Sequence, residues 1–155
     1  MIKAIALAFG LAVLYIIYQE YGGQVTQGTG ILSNLSGGNL GASDIAIYAA
    51  NAGFSGADLI TAIAVALAES SGNPNAYNPE KAAGAPVNKG SYGLWQIYLN
   101  AHPEYANVNL YDPQTNANAA YAIYSARGGN FGAWSTFVSG AYLSYVGDAQ
   151  GAINA

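Results

Sequence analysis

The sequence predicts a mainly α-helical domain set behind an apolar N-terminal segment and a polar tether. Three observations lead there. The run Leu59–Ala68 is apolar nearly all round, as a buried helix is. Helix-opening and helix-closing residues bracket several other runs. The composition also changes abruptly at Gly22, from almost wholly apolar to rich in Gly, Ser, Thr, Asn and Gln.

Taken in order, Ile2 to Tyr18 is broken only by Lys3 and Gly10. As a helix it would span about 25 Å at about 1.5 Å per residue, slightly short of a hydrocarbon core of roughly 30 Å. Tyr15, Tyr18 and Tyr21 extend it toward the far interface. The rival is a cleaved signal peptide, but Gln19-Glu20-Tyr21-Gly22-Gly23 offers no small-x-small cleavage pattern directly after the run. Residues 1–21 are therefore expected to be a retained single transmembrane helix, with Lys3 placing its start on the cytoplasmic side. Residues 22–42 are expected to be a flexible tether, punctuated by Val25, Ile31, Leu32, Leu35 and Leu40.

The folded domain is expected over residues 43–148, with 149–155 as a tail. Ser43 is the expected N-cap of a short helix through Ala50, ended by Gly53. Ser55-Gly56-Ala57-Asp58 has the spacing of a capping box and opens the helix ending at Glu69. The stretch from Gly72 to Gly93 reads as loop, and Leu94-Trp95-Gln96-Ile97 is too short to type. Asp112-Pro113 fits N-cap then N1 of a helix through Arg127, closed by Gly128-Gly129. A last helix is expected from Trp134 to Val146, weakened by Gly140.

Composition closes several functional classes. The 155 residues suit one domain with a real core. Four Lys+Arg against eight Asp+Glu leave no basic footprint for nucleic acid. With no Cys and one His, His102, thiolate metal sites, cysteine nucleophiles and Ser-His-Asp machinery are all disfavoured; no cofactor or metal is expected. Thirteen Tyr either stack on sugar faces or fill core and interfaces.

The chemistry-bearing residue is Glu69. A carboxyl at the inner end of a buried helix meets low dielectric on one side, so its charged form is disfavoured and its pKa should rise, as a general acid near neutral pH needs. The remaining acids have plainer duties: Asp44 and Asp58 in first helical turns, Asp112 as an N-cap, Glu20 at the membrane edge and Asp148 in the tail. Glu80 and Glu104 lie in loops and stay open as a second carboxylate.

Three segments occur in sequence: Glu69-Ser70 with Asn73-Pro74-x-Ala76; Gly90-Ser91-Tyr92-Gly93-Leu94-Trp95-Gln96-Ile97; and Gly140-Ala141-Tyr142. The ordered set resembles the lytic transglycosylase branch of the lysozyme-like fold, related to goose-type lysozyme. Asn109-Leu110-Tyr111-Asp112-Pro113-x-x-Asn116 with Ala119-Ala120 is similar to the same family, and Trp134-Ser135-Thr136 resembles its members in phage virion proteins. The likeness runs from about Ser43 to Val146.

That resemblance implies cleavage of the β-1,4 bond between N-acetylmuramic acid and N-acetylglucosamine. Glu69 would protonate the leaving oxygen, the substrate's own 2-acetamido carbonyl would act as nucleophile, and Glu69 would then take the C6 hydroxyl proton as a 1,6-anhydro ring closes. It implies substrate contacts for Ser70, Tyr92, Gly93, Leu94 and Gln96. Tyr142 would orient Glu69, although Leu143 stands where the family usually has Asn, which leaves Tyr145 as a rival. Trp95 stands where the family often has Met and either floors the groove or fills core.

Two other readings remain: a hydrolase with water as acceptor, and a non-catalytic membrane or virion protein with a glycan-binding domain. Expected partners are peptidoglycan strands and a membrane at the N-terminal helix, with other virion or envelope proteins allowed; the domain is expected on the cell-wall side.

Overall fold

The computed structural model describes residues 38–79 and 89–154. The expected anchor (1–21), all but the end of the tether (22–42) and Glu80 lie outside the described residues. Among the described residues no helix is long and apolar enough to cross a membrane.

Helix α1 (Ala42–Ala52) starts slightly earlier than expected, with Gly41 rather than Ser43 as its N-cap. The Gly41 N–H donates to Asp44 Oδ2 at 3.0 Å, so the acid in the first turn holds the entry. Gly53 closes α1 at φ 122°, a conformation open to glycine. It lies flat against the Tyr121 ring, where a Cβ would collide.

Helix α2 (Gly56–Ser70) follows its N-cap Ser55, but the expected capping box does not form. Ser55 makes no side-chain cap bond. Asp58 is turned outward instead, accepting from the Tyr124 hydroxyl at 2.6 Å. Ala62 through Leu67 are all buried, as an apolar circumference requires.

The stretch expected to be loop and the untyped run after it hold a small antiparallel sheet, in the order β1 (Tyr77–Asn78), β2 (Ser91–Tyr92) and β3 (Ile97–Tyr98). Tyr77 pairs with Tyr92, and Tyr92 with Ile97. Two-residue strands carry too little alternation to be read from sequence.

A 3₁₀ turn (Pro103–Tyr105) leads toward α3 (Pro113–Ala126). Asp112 caps α3 as expected, accepting from the Thr115 N–H at 2.8 Å, with Pro113 at N1. The single C-terminal helix expected from Trp134 to Val146 is three pieces: α4 (Ser135–Val138), a 3₁₀ turn (Ala141–Tyr145) and α5 (Val146–Asn154). Gly140, at φ 81°, makes the break.

The domain is larger than expected at both ends. Ala149 is fully buried and α5 packs on α1 and α2, so the 149–155 tail belongs mostly to the fold. Leu40 is buried, and its N–H donates to the Gly72 carbonyl at 2.7 Å. What reads locally as tether is stitched to the end of α2, and Gly72 has no room for a side chain against the Leu40 carbonyl.

Candidate active site

Glu69 occupies the last turn of α2 and is half-buried, directly after the enclosed stretch Ala62–Leu67. Its Oε1 accepts from the Thr136 hydroxyl at 2.7 Å. Burial pushes its carboxyl above the usual carboxylate range, while the Thr136 hydroxyl and, more weakly, the Thr136 backbone pull it down. Desolvation wins. A carboxyl so placed holds a proton nearer to neutral pH than an exposed glutamate does, as general-acid chemistry needs.

Thr136 carried no assigned role in the sequence. Its one local signal is the Trp134-Ser135-Thr136 run, because the two bonded residues stand 67 positions apart. Tyr142, expected to orient Glu69, instead stacks on Phe137, with ring centroids 5.0 Å apart. Among the described residues, the side-chain hydroxyl on Glu69 is that of Thr136.

The other expected site residues divide into two groups. Gln96 closes the tight β2–β3 turn at φ 46°, an uncommon backbone for a residue with a side chain. Its Nε2 donates to the Gly93 carbonyl at 2.9 Å and to the Ala76 carbonyl at 3.2 Å, which fixes the amide's orientation. The Gly93 N–H bonds the same Ala76 carbonyl at 2.9 Å. Gln96 thus ties its turn to the segment that follows Glu69, and the bond geometry leaves its Oε1 as the amide's remaining acceptor.

Ser70 donates back to the Ala66 carbonyl at 2.9 Å, a local helix bond. Leu94 is 0% exposed, so its side chain is core rather than groove lining, which corrects the expected contact. Trp95 is likewise fully buried, its indole donating to the Ala62 carbonyl at 3.0 Å. Tyr92 packs between Tyr77, tilted at 4.9 Å, and Tyr111, edge-on at 5.6 Å. It helps wall a cavity of about 280 Å³ together with Leu99, Val108 and Tyr111. Glu69, Gln96 and Thr136 are not among that cavity's walls.

A hub that the sequence motif included but gave no role holds this turn. Asn116 on α3 is fully buried. Its Nδ2 donates to the Tyr92 and Leu110 carbonyls at 2.9 Å each, and its Oδ1 accepts from the Trp95 N–H at 2.9 Å. Gly93, at φ 73°, passes so close that a Cβ would strike both the Asn116 amide and the Leu110 carbonyl.

Among the described carboxylates, Asp44, Asp58 and Asp112 are occupied in capping or tertiary bonds. Glu104 is exposed and lies 3.2 Å from His102 Nδ1. Its own backbone N–H, and then His102, hold it below the ordinary range, which suits an ion pair rather than an acid. Among the described residues no three His, Asp or Glu side chains gather as a metal site.

A family model described as a lysozyme-like domain matches residues 46–136, more than half of the chain. The match takes in Glu69, the sheet, Gln96 and Asn116, and ends on Thr136; Tyr142 lies beyond it. No curated protein and no solved structure matches. The chain belongs to the lysozyme-like domain family.

Proposed function

We propose that this protein is a peptidoglycan lytic transglycosylase with Glu69 as acid and then base. The observation that carries the reading is one carboxyl, half-buried at the end of an apolar helix, raised in pKa by burial and gripped by a hydroxyl. Protonated Glu69 gives its proton to the glycosidic oxygen between N-acetylmuramic acid and N-acetylglucosamine as the C1–O bond breaks. The substrate's 2-acetamido carbonyl oxygen bonds to C1 from the opposite face. Ionised Glu69 then takes the C6 hydroxyl proton. The C6 oxygen displaces the acetamido oxygen at C1, which closes the 1,6-anhydro ring and returns the carboxyl to its starting state.

Most glycosidases divide these duties between two carboxylates. Among the described residues, the engagement of Asp44, Asp58 and Asp112 in structural bonds and the His102 pairing of Glu104 support a single-acid scheme, with Glu80 lying outside those residues. Gln96 is assigned to the substrate beside the scissile bond through its Oε1, and the exposed Tyr77 and Tyr111 offer ring faces for sugar further along the surface.

Residues 1–21 are read as a membrane anchor and the following polar stretch as the tether that presents the domain to the wall. The apolar composition of Ile2 to Tyr18 supports this. Within an envelope or a virion membrane, such an enzyme would open the wall locally.

The test is digestion of purified peptidoglycan with product masses, wild type beside Glu69→Gln. Anhydro-terminated fragments, lighter by one water than hydrolysis products, are expected from the wild type and none from the variant. Reducing-end products would make the enzyme a hydrolase, and undiminished release by Glu69→Gln would remove Glu69 from the chemistry.

A further inference from the structure

The hydroxyl that meets Glu69 comes from a segment held unusually firmly for its length. Helix α4 has four residues, yet both flanks of Thr136 are fixed. Trp134 is buried, and its indole N–H donates to the Trp95 carbonyl at 2.8 Å. Phe137 is wedged between Phe131, at 5.6 Å, and Tyr142, at 5.0 Å. Trp95 is also the residue before Gln96. The donor on the acid and the turn carrying the glutamine therefore share one rigid connection. A hydroxyl placed this way is preorganised rather than recruited.

A carboxyl that acts as acid and then base needs no reorientation between the steps when the same oxygen serves both. A neutral carboxylic acid has one carbonyl oxygen and one hydroxyl oxygen, and the carbonyl oxygen is the better acceptor. Resting on the transglycosylase reading above, we infer that Thr136 is the positioning residue of the reaction: by donating to Oε1 it keeps Oε1 as the accepting oxygen, so that Oε2 carries the proton delivered to the leaving group and later reclaimed from C6. The same bond strengthens when Glu69 ionises, because a hydroxyl donates better to a charged acceptor. It thereby offsets part of the burial penalty in the middle of the cycle.

Titratable groups on the elements packed against α2 are Asp44 and Tyr48 on α1, Tyr142 and Tyr145 on the 3₁₀ turn, and Asp148 on α5. Among the described residues none of them contributes a charge interaction to Glu69, and the side-chain hydrogen bond acting on it is that of Thr136. Removing this hydroxyl should therefore appear directly in the titration of Glu69.

The experiment compares Thr136→Val, which keeps the shape without the donor, with Thr136→Ser, which keeps the donor. The readouts are the pH profile of peptidoglycan digestion and the carboxyl ¹³C titration of Glu69, assigned by its disappearance in Glu69→Gln. In Thr136→Val, kcat should fall about tenfold with KM within twofold, as loss of a step-specific interaction requires. The alkaline limb and the ¹³C midpoint should both move to higher pH. Thr136→Ser should restore both, and circular dichroism of each variant establishes that it is folded.

An unmoved midpoint in folded Thr136→Val overturns the inference. A midpoint that moves down also overturns it, since the hydroxyl would then be accepting from the neutral acid. Glu69→Gln that still cleaves would instead defeat the transglycosylase reading and this inference with it, while an inactive Glu69→Gln beside an unaltered Thr136→Val defeats the inference alone.

Discussion

The two ends of helix α2 carry the same small device in opposite surroundings. At its start, Asp58 accepts from the Tyr124 hydroxyl at 2.6 Å; at its finish, Glu69 accepts from the Thr136 hydroxyl at 2.7 Å. Both donors lie more than sixty residues away and both fasten a later element onto α2. The exposed pair leaves its mark on the donor: Asp58, by accepting, pushes the Tyr124 phenol up to about 12. In the half-buried pair the mark is on the carboxyl, where lost hydration outweighs the hydroxyl's help and Glu69 is raised. The same hydrogen bond thus sits beside an exposed carboxylate at one end and beside the proposed general acid at the other, and burial makes the difference.

The strongest test of that contrast removes the charge at Glu69. Glu69→Gln keeps an oxygen for the Thr136 hydroxyl and should lose about 10²- to 10⁴-fold in peptidoglycan cleavage, the usual worth of a positioned general acid. Its stability should change the other way. A carboxyl whose folded pKa is raised favours folding in its neutral form, so its contribution is fully present below the unfolded value of 4.5 and is lost as pH rises through the folded pKa. Glu69→Gln should therefore melt higher than wild type at pH 7 and no higher at pH 4, which thermal unfolding at the two values measures. Activity loss coupled to a pH-dependent gain in stability is the signature of a strained functional group; the matching change at Asp58 should leave cleavage unchanged.

Next in size are the supports of the Gln96 turn. Asn116→Ala leaves the Tyr92 and Leu110 carbonyls and the Trp95 N–H without their buried partner, which should cost about 2–4 kcal/mol in denaturant unfolding. Gly93→Ala combines a positive φ with two backbone and side-chain collisions and should cost about 2–3 kcal/mol or more. Both variants should lower activity through the turn while the Glu69 titration stays in place. That outcome would separate the geometry of the groove from the electrostatics of the acid.

How much of this was legible in the sequence follows the range of each interaction. Helices α2 and α3 could be read because apolar periodicity and Asp112-Pro113 are local signals, and Glu69 could be placed because the helix before it is so apolar. The sheet could not, since strands of two residues have no period to detect. Ser55-x-x-Asp58 had the spacing of a cap, but Asp58 found a better partner in Tyr124 once α3 packed beside it. Leu40 looked like punctuation in a tether because its partner, Gly72, lies 32 residues on. Thr136 and Asn116 stood in motifs, but their partners were hidden for the same reason. Each is a polar residue whose meaning is a backbone or carboxyl far away in the chain, and no local pattern encodes that.

The mildest change breaks the exposed member of the pair. Tyr124→Phe removes the hydroxyl from Asp58 and keeps the ring against Phe54 and Phe131, at 5.1 and 4.7 Å. Its cost at neutral pH should be about 0.5–1 kcal/mol, the low end for a hydrogen bond at a solvated carboxylate. The sign in alkali is definite. The phenol's folded pKa, about 12, stands above its ordinary 10.0, so its contribution is intact below pH 10 and disappears as pH climbs toward 12. Wild type should lose stability across that window and Tyr124→Phe should lose less, measured by urea unfolding at stepped pH. Peptidoglycan cleavage should be unchanged at neutral pH. A large activity loss in Tyr124→Phe would mean that the start of α2 is coupled to its finish, and that the hydroxyl on Asp58 does more than fasten two helices.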